Sequence, residues 1–153
     1  MSRAIANLLA LAAAEIGAAE TPGRPNRGPR VDTYHRECGS ALGQPWCGIF
    51  LVALFKWAKI PLTAKPWLLA SAAAWFDDPA RKVDPDAVRP GDVFGVPFGT
   101  GGQIRHVGLV ERVTGDTLTT IEGNTTLNGS REGTMVLRRQ RHKKGLFFAR
   151  WTP

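Results

Sequence analysis

The feature that most constrains this fold is an apolar run from Cys47 to Phe55. Pro45 lies just before it and Pro61 just after it, so the run is predicted to form one helix that ends near Ala58. A helix that is apolar nearly all round has no face suited to solvent and must be covered on every side. The rest of the chain is therefore expected to fold around this helix.

The order of the other elements indicates an α+β fold. The length of 153 residues suits one hydrophobic core, and the predicted helices precede the predicted strands. The other helices are predicted at Ser2–Ala19, Val31–Glu37 and Ser71–Phe76. The strands are predicted at Val93–Phe98, His106–Val113, Thr117–Glu122, Thr134–Arg139 and Leu146–Trp151, with a turn at Leu127–Ser130. We expect residues 1–153 to form one domain with N-terminal helices packed on an antiparallel sheet.

The chain is basic, with 20 Lys and Arg residues against 13 Asp and Glu and a formal net charge of +7. Such a charge either aids solubility or attracts a polyanion such as nucleic acid, a membrane surface or an anionic bacterial cell wall. Much of it lies in the basic cluster Arg138–Lys144, which has no interleaved aromatic residues for stacking on bases. We predict that nucleic acid is not a partner.

The N-terminal segment vaguely resembles a signal peptide, because Arg3 precedes a stretch rich in alanine and leucine. Asn7 interrupts that stretch, and Ile5, Leu8 and Ala12 follow helical spacing, so an amphipathic helix is our interpretation and a signal peptide the alternative. No apolar run is long enough to span a membrane. We expect a protein that is made in the cytoplasm and has no membrane partner.

Cys47 stands where the chain enters the predicted core helix, and this position favours a reactive thiolate. The unpaired N–H groups and the positive end of the helix dipole stabilise an anion there. They lower a thiol pKa from its free value of about 8.5, which makes Cys47 a candidate nucleophile. Such a nucleophile needs a base close in space and a third group that orients the base. The alternative is a disulfide between Cys47 and Cys38.

Three histidines are candidates for the base. His142 lies in the basic cluster, where a proton acceptor is electrostatically disfavoured, and His35 lies in a loop-rich region before Cys47. His106 begins a predicted strand, and Gly108 leaves open space beside its imidazole on the same strand face. We assign His106 as the base. A hydrogen-bonded strand histidine without a catalytic role remains the alternative.

The group that orients His106 is expected on the next strand, where Glu122 and Asn124 are two residues apart and so share a face. A hairpin loop of three or five residues centred on Gly115 pairs His106 with Asn124 and Gly108 with Glu122. A two-residue loop puts them on opposite faces unless a bulge compensates. We therefore predict the odd-length loop. The alternative for Glu122 is an exposed carboxylate at a strand end.

Several segments in a fixed order carry a family resemblance. They are Trp46–Phe50, Arg89–Val93, His106–Val110 and Glu122–Thr125, with further matches at Asn26–Tyr34 and Phe148–Trp151. Together they resemble the CHAP family of cysteine, histidine-dependent amidohydrolases/peptidases, which are relatives of the NlpC-type peptidoglycan peptidases. The resemblance implies a papain-like fold and a single CHAP-like catalytic domain.

The resemblance also implies a role for each site residue. Cys47 would attack an amide carbonyl, and His106 would accept the thiol proton and later protonate the leaving amine. Glu122 would orient His106, with Asn124 supporting it. The Cys47 backbone N–H would contribute to an oxyanion hole, and Gln44 is either a second donor to that hole or a plain loop residue.

The sequence departs from the family pattern before and after the cysteine. Gly48 stands where the family often has alanine or serine, which we expect to be harmless. Some members bind calcium through an acidic loop, but Arg36–Gly43 offers one carboxylate where a hard cation takes about six or more oxygens. The cysteines and histidines show no zinc-finger spacing. We predict no metal and no cofactor.

The segment Gly99–Arg105 precedes His106 and is expected to border the substrate groove. Trp46, Trp67 and Trp75 either line that groove or pack in the core, and core packing is the default for each. No other substrate contact is assigned from the sequence.

The resemblance implies a hydrolase that cuts an amide bond in bacterial peptidoglycan, either as an N-acetylmuramoyl-L-alanine amidase or as a peptide endopeptidase. We expect a monomer that acts on the periplasmic or extracellular wall, as a phage endolysin or a virion-associated lysin does. An interbacterial toxin amidase or a host wall-remodelling enzyme fits the same residues. The alternatives of other kinds are a non-catalytic wall-binding module and a thiol peptidase or amidase with a non-wall substrate.

Overall fold

The computed structural model describes residues 1–126 and 133–153, in which helices pack on one antiparallel sheet. Within these residues the α-helices are α1 (Arg3–Ala14), α2 (Pro29–Cys38) and α3 (Cys47–Trp57). Short 3₁₀ segments follow at Pro66–Ala70, Ala73–Phe76, Pro79–Arg81 and Pro85–Ala87. The strands are β1 (Val93–Phe98), β2 (Gln103–Thr114), β3 (Thr117–Thr125), β4 (Met135–His142) and β5 (Phe147–Ala149), in the spatial order β4-β3-β2-β1-β5. The predicted α+β class is confirmed, and the predicted turn at Leu127–Ser130 lies outside the described residues.

The helix α3 lies at the centre of the molecule, as its composition requires. Every residue from Cys47 to Phe55 is buried. The helices α1 and α2 contact it, and so do the strands β2 and β3. The sheet approaches closely at Gly123, where a Cβ atom would lie 2.8 Å from Phe50. Within the described part of the chain, no helix is both long and apolar enough to cross a bilayer.

The segment Pro66–Ala70 packs directly on the first turn of α3, and this contact depends on Gly48. A Cβ atom at Gly48 would lie 2.5 Å from the carbonyl oxygen of Leu69 and 3.0 Å from that of Ala70. Distances this short are repulsive, so alanine or serine at this position would push the segment away. The departure from the family pattern at Gly48 therefore has a structural reason that the sequence did not reveal.

The helix α1 ends at Ala14 and not at the predicted Ala19, because the chain after it pairs with β4. The N–H of Gly17 donates to the carbonyl of Val136 at 2.9 Å, and the N–H of Val136 donates to the carbonyl of Ala18 at 2.8 Å. Gly17 has a φ of 95°, a left-handed conformation that turns the chain out of a helix. Long-range hydrogen bonds here outweigh local helix propensity.

The β2–β3 hairpin has a two-residue loop, so the prediction of a three- or five-residue loop is wrong. Thr114 pairs with Thr117 across Gly115 and Asp116. Gly115 has a φ of 58°, and glycine is favoured in such short hairpin turns because it adopts positive φ without a steric penalty. The glycine on which the prediction was centred is therefore the first of two loop residues.

A bulge in β2 puts His106 and Glu122 on the same face of the sheet, as the site prediction required. The register between β2 and β3 shifts by one residue between Val110 and Arg112, which leaves Glu111 unpaired in the ladder. Beyond the bulge, Leu109 pairs with Ile121, and a Cβ atom at Gly108 would lie 2.9 Å from Cγ of Glu122, so these two residues are close, as the predicted register requires. The side chains of His106 and Glu122 lie on the same face of the sheet because β2 contains a bulge, and not because the loop has an odd length.

A buried ion pair joins two of the segments that resemble the family. The carboxylate of Asp92 is fully buried and accepts two hydrogen bonds from the guanidinium of Arg150, each of 2.8 Å. Asp92 also accepts a hydrogen bond of 2.9 Å from the N–H of Arg89. The pair therefore ties the turn before β1 to the chain that follows β5.

Candidate active site

Cys47 is the first residue of α3, and it lines an open groove on the protein surface. The preceding residue, Trp46, is fully buried, and its ring stacks on Tyr34 with the centroids 5.7 Å apart. The indole N–H of Trp46 donates to a carboxylate oxygen of Glu20 at 2.9 Å. These contacts fix the point at which the chain enters α3 and so fix Cys47 beside the groove.

His106 lies on β2, where it is almost completely buried. Its Nε2 atom donates to Oε1 of Glu122 at 2.7 Å. Its other ring nitrogen, Nδ1, is buried and has no hydrogen-bond partner among the described residues that meets the usual geometry. Because Nε2 is occupied, Nδ1 is the atom available to the thiol of Cys47, with which the imidazole interacts.

Cys47 and His106 shift each other's proton affinity in opposite directions. Burial raises the pKa of the Cys47 thiol, but the interaction with His106 and the N–H groups of Val107 and Gly48 outweigh burial and lower that pKa overall. Burial lowers the pKa of His106, yet Cys47 and then Glu122 outweigh it and raise that pKa to about 9. The arrangement favours a thiolate beside an imidazolium at neutral pH.

Glu122 is fully buried on β3 and is held by hydrogen bonds to both of its carboxylate oxygens. Thr120 Oγ1 donates to Oε2 at 2.6 Å, and the guanidinium of Arg141 donates to both oxygens, each at 2.7 Å. Burial raises the pKa of Glu122, but Arg141 and then His106 hold it well below its usual range. The carboxylate is therefore charged and fixed in orientation beside His106.

Arg141 is a site residue that the sequence analysis missed, because it was counted in the basic cluster. Three arginines of that cluster face carboxylates: Arg138 forms a bidentate pair with Glu111 at 2.7 and 2.8 Å, Arg141 pairs with Glu122, and Arg139 lies 3.9 Å from Glu122. The missed signal is the alternation along β4, which puts Arg139 and Arg141 on one face. Part of the basic cluster thus neutralises charge within the protein.

Asn124 lies at the end of β3 in a left-handed conformation, with a φ of 54°. In the amide orientation that satisfies both ends of its side chain, Asn124 accepts from the N–H of Trp46 at 3.1 Å and donates to the carbonyl of Gly133 at 2.5 Å. The side chain therefore braces the entry to α3. Trp46, whose N–H is held by Asn124, is the residue immediately before Cys47.

Gln44 is exposed and lines the groove near Cys47. Its backbone carbonyl lies 2.9 Å from Nε2 of His35, whose Nδ1 lies 2.8 Å from the carbonyl of Val31. Both ring nitrogens of His35 are thus engaged with backbone carbonyls. His142 lies on β4 with its Nδ1 accepting from the N–H of Lys144 at 3.1 Å. Among the described contacts, His106 is the histidine that interacts with Cys47.

The groove has two halves that meet at Cys47, and Pro45 and Arg105 also line both of them. The first, which we name the polar half, has a volume of about 430 Å³. Its other lining residues include Glu20, Asn26, Asn124 and Thr134. The second, which we name the aromatic half, has a volume of about 560 Å³. Its other lining residues include Gln44, Trp67, Leu68 and Ile104.

The three tryptophans named from the sequence divide between core and groove. Trp46 and Trp75 are fully buried, as core packing predicts. Trp67 is 53% exposed and lines the aromatic half, so the default of core packing is wrong for this residue. Arg105, at the end of the segment predicted to border the groove, does line it.

Both cysteines are free, so the alternative of a disulfide between Cys38 and Cys47 is not realised. Among the described residues, no group of three or more His, Cys, Asp and Glu side chains is placed to hold a metal ion. The absence of a metal and a cofactor stays a prediction.

Comparison with known proteins gives a family and a fold. A family profile described as CHAP domain matches residues 37–124, which is more than half of the chain. The match includes Cys47, His106, Glu122 and Asn124. No curated protein sequence matches the chain at a significant level.

Among solved structures, RipD from Mycobacterium tuberculosis is similar over 98% of both chains, with a TM-score of 0.51 and 16% sequence identity. It is described as a non-catalytic NlpC/p60 domain protein adapted to peptidoglycan binding. Two structures of Ly7917 align with 95% of this chain and 62% of theirs at 15% identity, with TM-scores of 0.47 and 0.45. At such identities the likeness to RipD concerns the fold, which is the predicted papain-like one.

Proposed function

This chain belongs to the CHAP domain family, and we propose that it is a cysteine-dependent hydrolase of an amide bond in bacterial peptidoglycan. The observation that carries the proposal is one buried histidine that is hydrogen-bonded to a buried carboxylate and interacts electrostatically with a groove-lining cysteine. A nucleophile, a base and an orienting group within reach of one another are the parts that acyl transfer requires.

In the proposed reaction, the thiolate of Cys47 attacks the carbonyl carbon of the amide. The amide C–N bond then breaks, and the imidazolium of His106 gives its proton to the departing nitrogen, which leaves as an amine. The acyl group remains on Cys47 as a thioester. Neutral His106 then takes a proton from water, whose oxygen attacks the thioester, and the carboxylate product and the thiol of Cys47 are released.

The supporting residues act through Cys47 and His106. We assign Glu122 to orient the imidazole, because it accepts the Nε2 proton and so points Nδ1 away from itself. We assign Asn124 to hold the entry of α3 through the N–H of Trp46. The backbone N–H of Cys47 and the side chain of Gln44 are the proposed donors to the oxyanion.

A non-catalytic wall-binding module is the alternative from a different class, and RipD gives it a precedent on this fold. The paired shifts in the pKa values of Cys47 and His106 support catalysis instead, because binding alone requires no thiolate. For the biological setting we propose a phage endolysin or virion-associated lysin. A neighbouring holin gene supports this setting, whereas a neighbouring immunity gene supports an interbacterial toxin.

The proposal is tested by adding the protein to a suspension of purified peptidoglycan and following its turbidity. We expect the wild type to clear the suspension and Cys47→Ser to leave it turbid. Walls of several chemotypes should be compared, since the protein need not act on all of them. Binding to every wall without Cys47-dependent release of fragments would favour the non-catalytic alternative.

Arg141→Gln should narrow the pH range of hydrolysis from its acidic side. Arg141 is the strongest of the groups that hold the pKa of Glu122 down, so its loss lets the buried carboxylate take up a proton at higher pH. A hydrogen bond to a charged group contributes about 1.5–3 kcal/mol. The apparent pKa of the acidic limb of the kcat/KM profile should therefore rise by about one unit or more. Lys144→Gln removes a charge from the same cluster and should leave the profile in place. An unchanged low-pH limb in Arg141→Gln would show that Arg141 does not act on Glu122.

A further inference from the structure

His35 is a buried histidine that the proposed mechanism does not use. The residue is fully buried, and both of its ring nitrogens lie within hydrogen-bond distance of backbone carbonyl oxygens. One oxygen belongs to Val31, one turn earlier on α2, and the other belongs to Gln44, in the loop that leads to Cys47. The imidazole therefore joins a helix of the core to a loop beside the nucleophile.

The loop between α2 and α3, residues 39–46, is weakly held along most of its length. Residues 41–45 are all exposed, so apolar packing does not fix this stretch. The carbonyl of Gly43 accepts a hydrogen bond of 3.3 Å from the side-chain amide of Asn26, but this bond is exposed to water. Among the described contacts of residues 41–45, the one with His35 is the one made by a fully buried side chain.

The contact with His35 fixes one peptide group of the loop. A carbonyl oxygen only accepts a hydrogen bond, so the 2.9 Å between Nε2 and the carbonyl of Gln44 calls for a proton on Nε2. The contact of Nδ1 with the carbonyl of Val31, at 2.8 Å, orients the ring, and a ring that carries a proton on each nitrogen satisfies both carbonyls. A hydrogen bond shielded from water is stronger than an exposed one, so His35 is the main anchor of this peptide group.

The anchored residue lies next to the proposed chemistry. Gln44 lines the groove, and Pro45, which follows it, lines both halves of the groove together with Cys47. The Gln44 side chain is a proposed donor to the oxyanion, and such a donor has to be held within about 0.5 Å of its productive position. Because Gln44 is exposed, the position of its side chain depends on the backbone that carries it.

We propose that His35 is a positioning residue for hydrolysis: its Nε2–H donates to the carbonyl of Gln44 and so holds the Gln44 side chain where it donates to the oxyanion. This proposal rests on the proposed hydrolase function and adds a residue of α2 to the site. His35 exchanges no proton with the substrate, and the role of base stays with His106. Because the oxyanion forms only on the way through the transition state, loss of the His35 contact should lower kcat and leave KM nearly unchanged.

Two amide substitutions separate the two contacts of the ring. In His35→Gln the amide nitrogen takes the place of Nε2 and still donates to Gln44, whereas in His35→Asn the shorter side chain takes the place of Nδ1 and reaches only Val31. We expect His35→Asn to lower kcat on soluble peptidoglycan fragments by about tenfold or more, and His35→Gln to retain most of it. His142→Asn, which changes an exposed histidine of β4, should have no effect.

A double-mutant cycle with Gln44→Ala tests whether His35 acts through the Gln44 side chain. Alanine at position 44 keeps the backbone carbonyl but removes the proposed oxyanion donor. In that background, His35→Asn should lower kcat by less than about twofold, because the two residues serve one interaction. Losses in kcat that multiply in the double variant, or a rise in KM with kcat unchanged in His35→Asn, would overturn the positioning role.

The proton on the ring gives a result that needs neither a variant nor activity. Two-dimensional ¹⁵N NMR of the imidazole should show that Nε2 of His35 carries a proton, and an unprotonated Nε2 would overturn the hydrogen bond to Gln44. A wild type that releases no fragments from any wall tested overturns the hydrolase, and the positioning role with it. A wild type that cuts peptidoglycan, with His35→Asn equally active, overturns the positioning role alone and leaves the hydrolase standing.

Discussion

Replacing Cys47 with alanine is expected to reduce peptidoglycan hydrolysis by at least about 10⁴-fold, since the proposed mechanism has no other nucleophile. The variant should remain folded, because the change removes only one sulfur atom. The rest of this residue, which is 5% exposed, stays in place. The pKa of His106 should fall from about 9, since Cys47 is the strongest of the groups that raise it. Two-dimensional NMR of the imidazole during a pH titration measures that change in the same sample.

Cys38 is the matched control for this prediction. It is also buried and free, but burial raises its pKa to about 11, so it should remain a neutral thiol near neutral pH. Iodoacetamide at pH 7 should therefore modify Cys47 well before Cys38, and Cys38→Ser should keep its activity. Lysis that survives in Cys47→Ala, or alkylation of Cys38 ahead of Cys47, would refute the assignment of the nucleophile.

Glu122→Ala is expected to lower the free energy of unfolding by about 3–5 kcal/mol at pH 7, because it leaves charged groups buried without their partner. The guanidinium of Arg141 loses both of its hydrogen bonds to Glu122, and Arg139 and His106 lose the same carboxylate. Hydrolysis should fall as well, since nothing then fixes the orientation of the His106 ring. Urea denaturation followed by circular dichroism measures the first effect.

The pH dependence of this loss has a definite sign. Because the folded protein holds the pKa of Glu122 below its usual value, the carboxylate stabilises the fold above the unfolded pKa of about 4.3 and stops doing so as pH falls through the folded value. The stability difference between wild type and Glu122→Ala should shrink below about pH 4. Glu122→Gln keeps the shape and some hydrogen bonds and should lose less stability than Glu122→Ala. Equal stability of Glu122→Ala and wild type at pH 7 would contradict the role of the buried carboxylate.

Much of the fold could be predicted from local patterns in the sequence. The apolar run after Pro45 predicts α3 to within one residue, and alternation with flanking turn residues predicts β1 correctly at Val93–Phe98. The end of α1 could not be predicted in this way. It is set by hydrogen bonds between Gly17 and β4, and partners far apart in the sequence leave no trace in local propensity.

The sequence predicts the site residues whose chemical type marks them as catalytic. It does not predict the residues whose part in the site depends on the three-dimensional packing. A cysteine at a helix start, a strand histidine and a carboxylate one strand away are visible in the sequence. Arg141 was hidden among other cations, because its contact with Glu122 depends on which face of β4 it occupies. The exposure of Trp67 was hidden too, because composition favours a buried tryptophan unless tertiary packing places it at the surface.

Because of the bulge at Glu111, the number of residues in the β2–β3 hairpin determines which faces His106 and Glu122 occupy, and this constrains how the hairpin can evolve. Deleting Glu111 alone, or inserting one residue into the Gly115–Asp116 loop, would alter the register by one and turn either His106 or Glu122 toward the wrong face. Viable length changes in this hairpin therefore have to come in compensating pairs. Relatives that keep the site should have either a bulge and a loop with an even number of residues, or no bulge and a loop with an odd number. A sequence alignment that ignores this rule would misplace the carboxylate by one position.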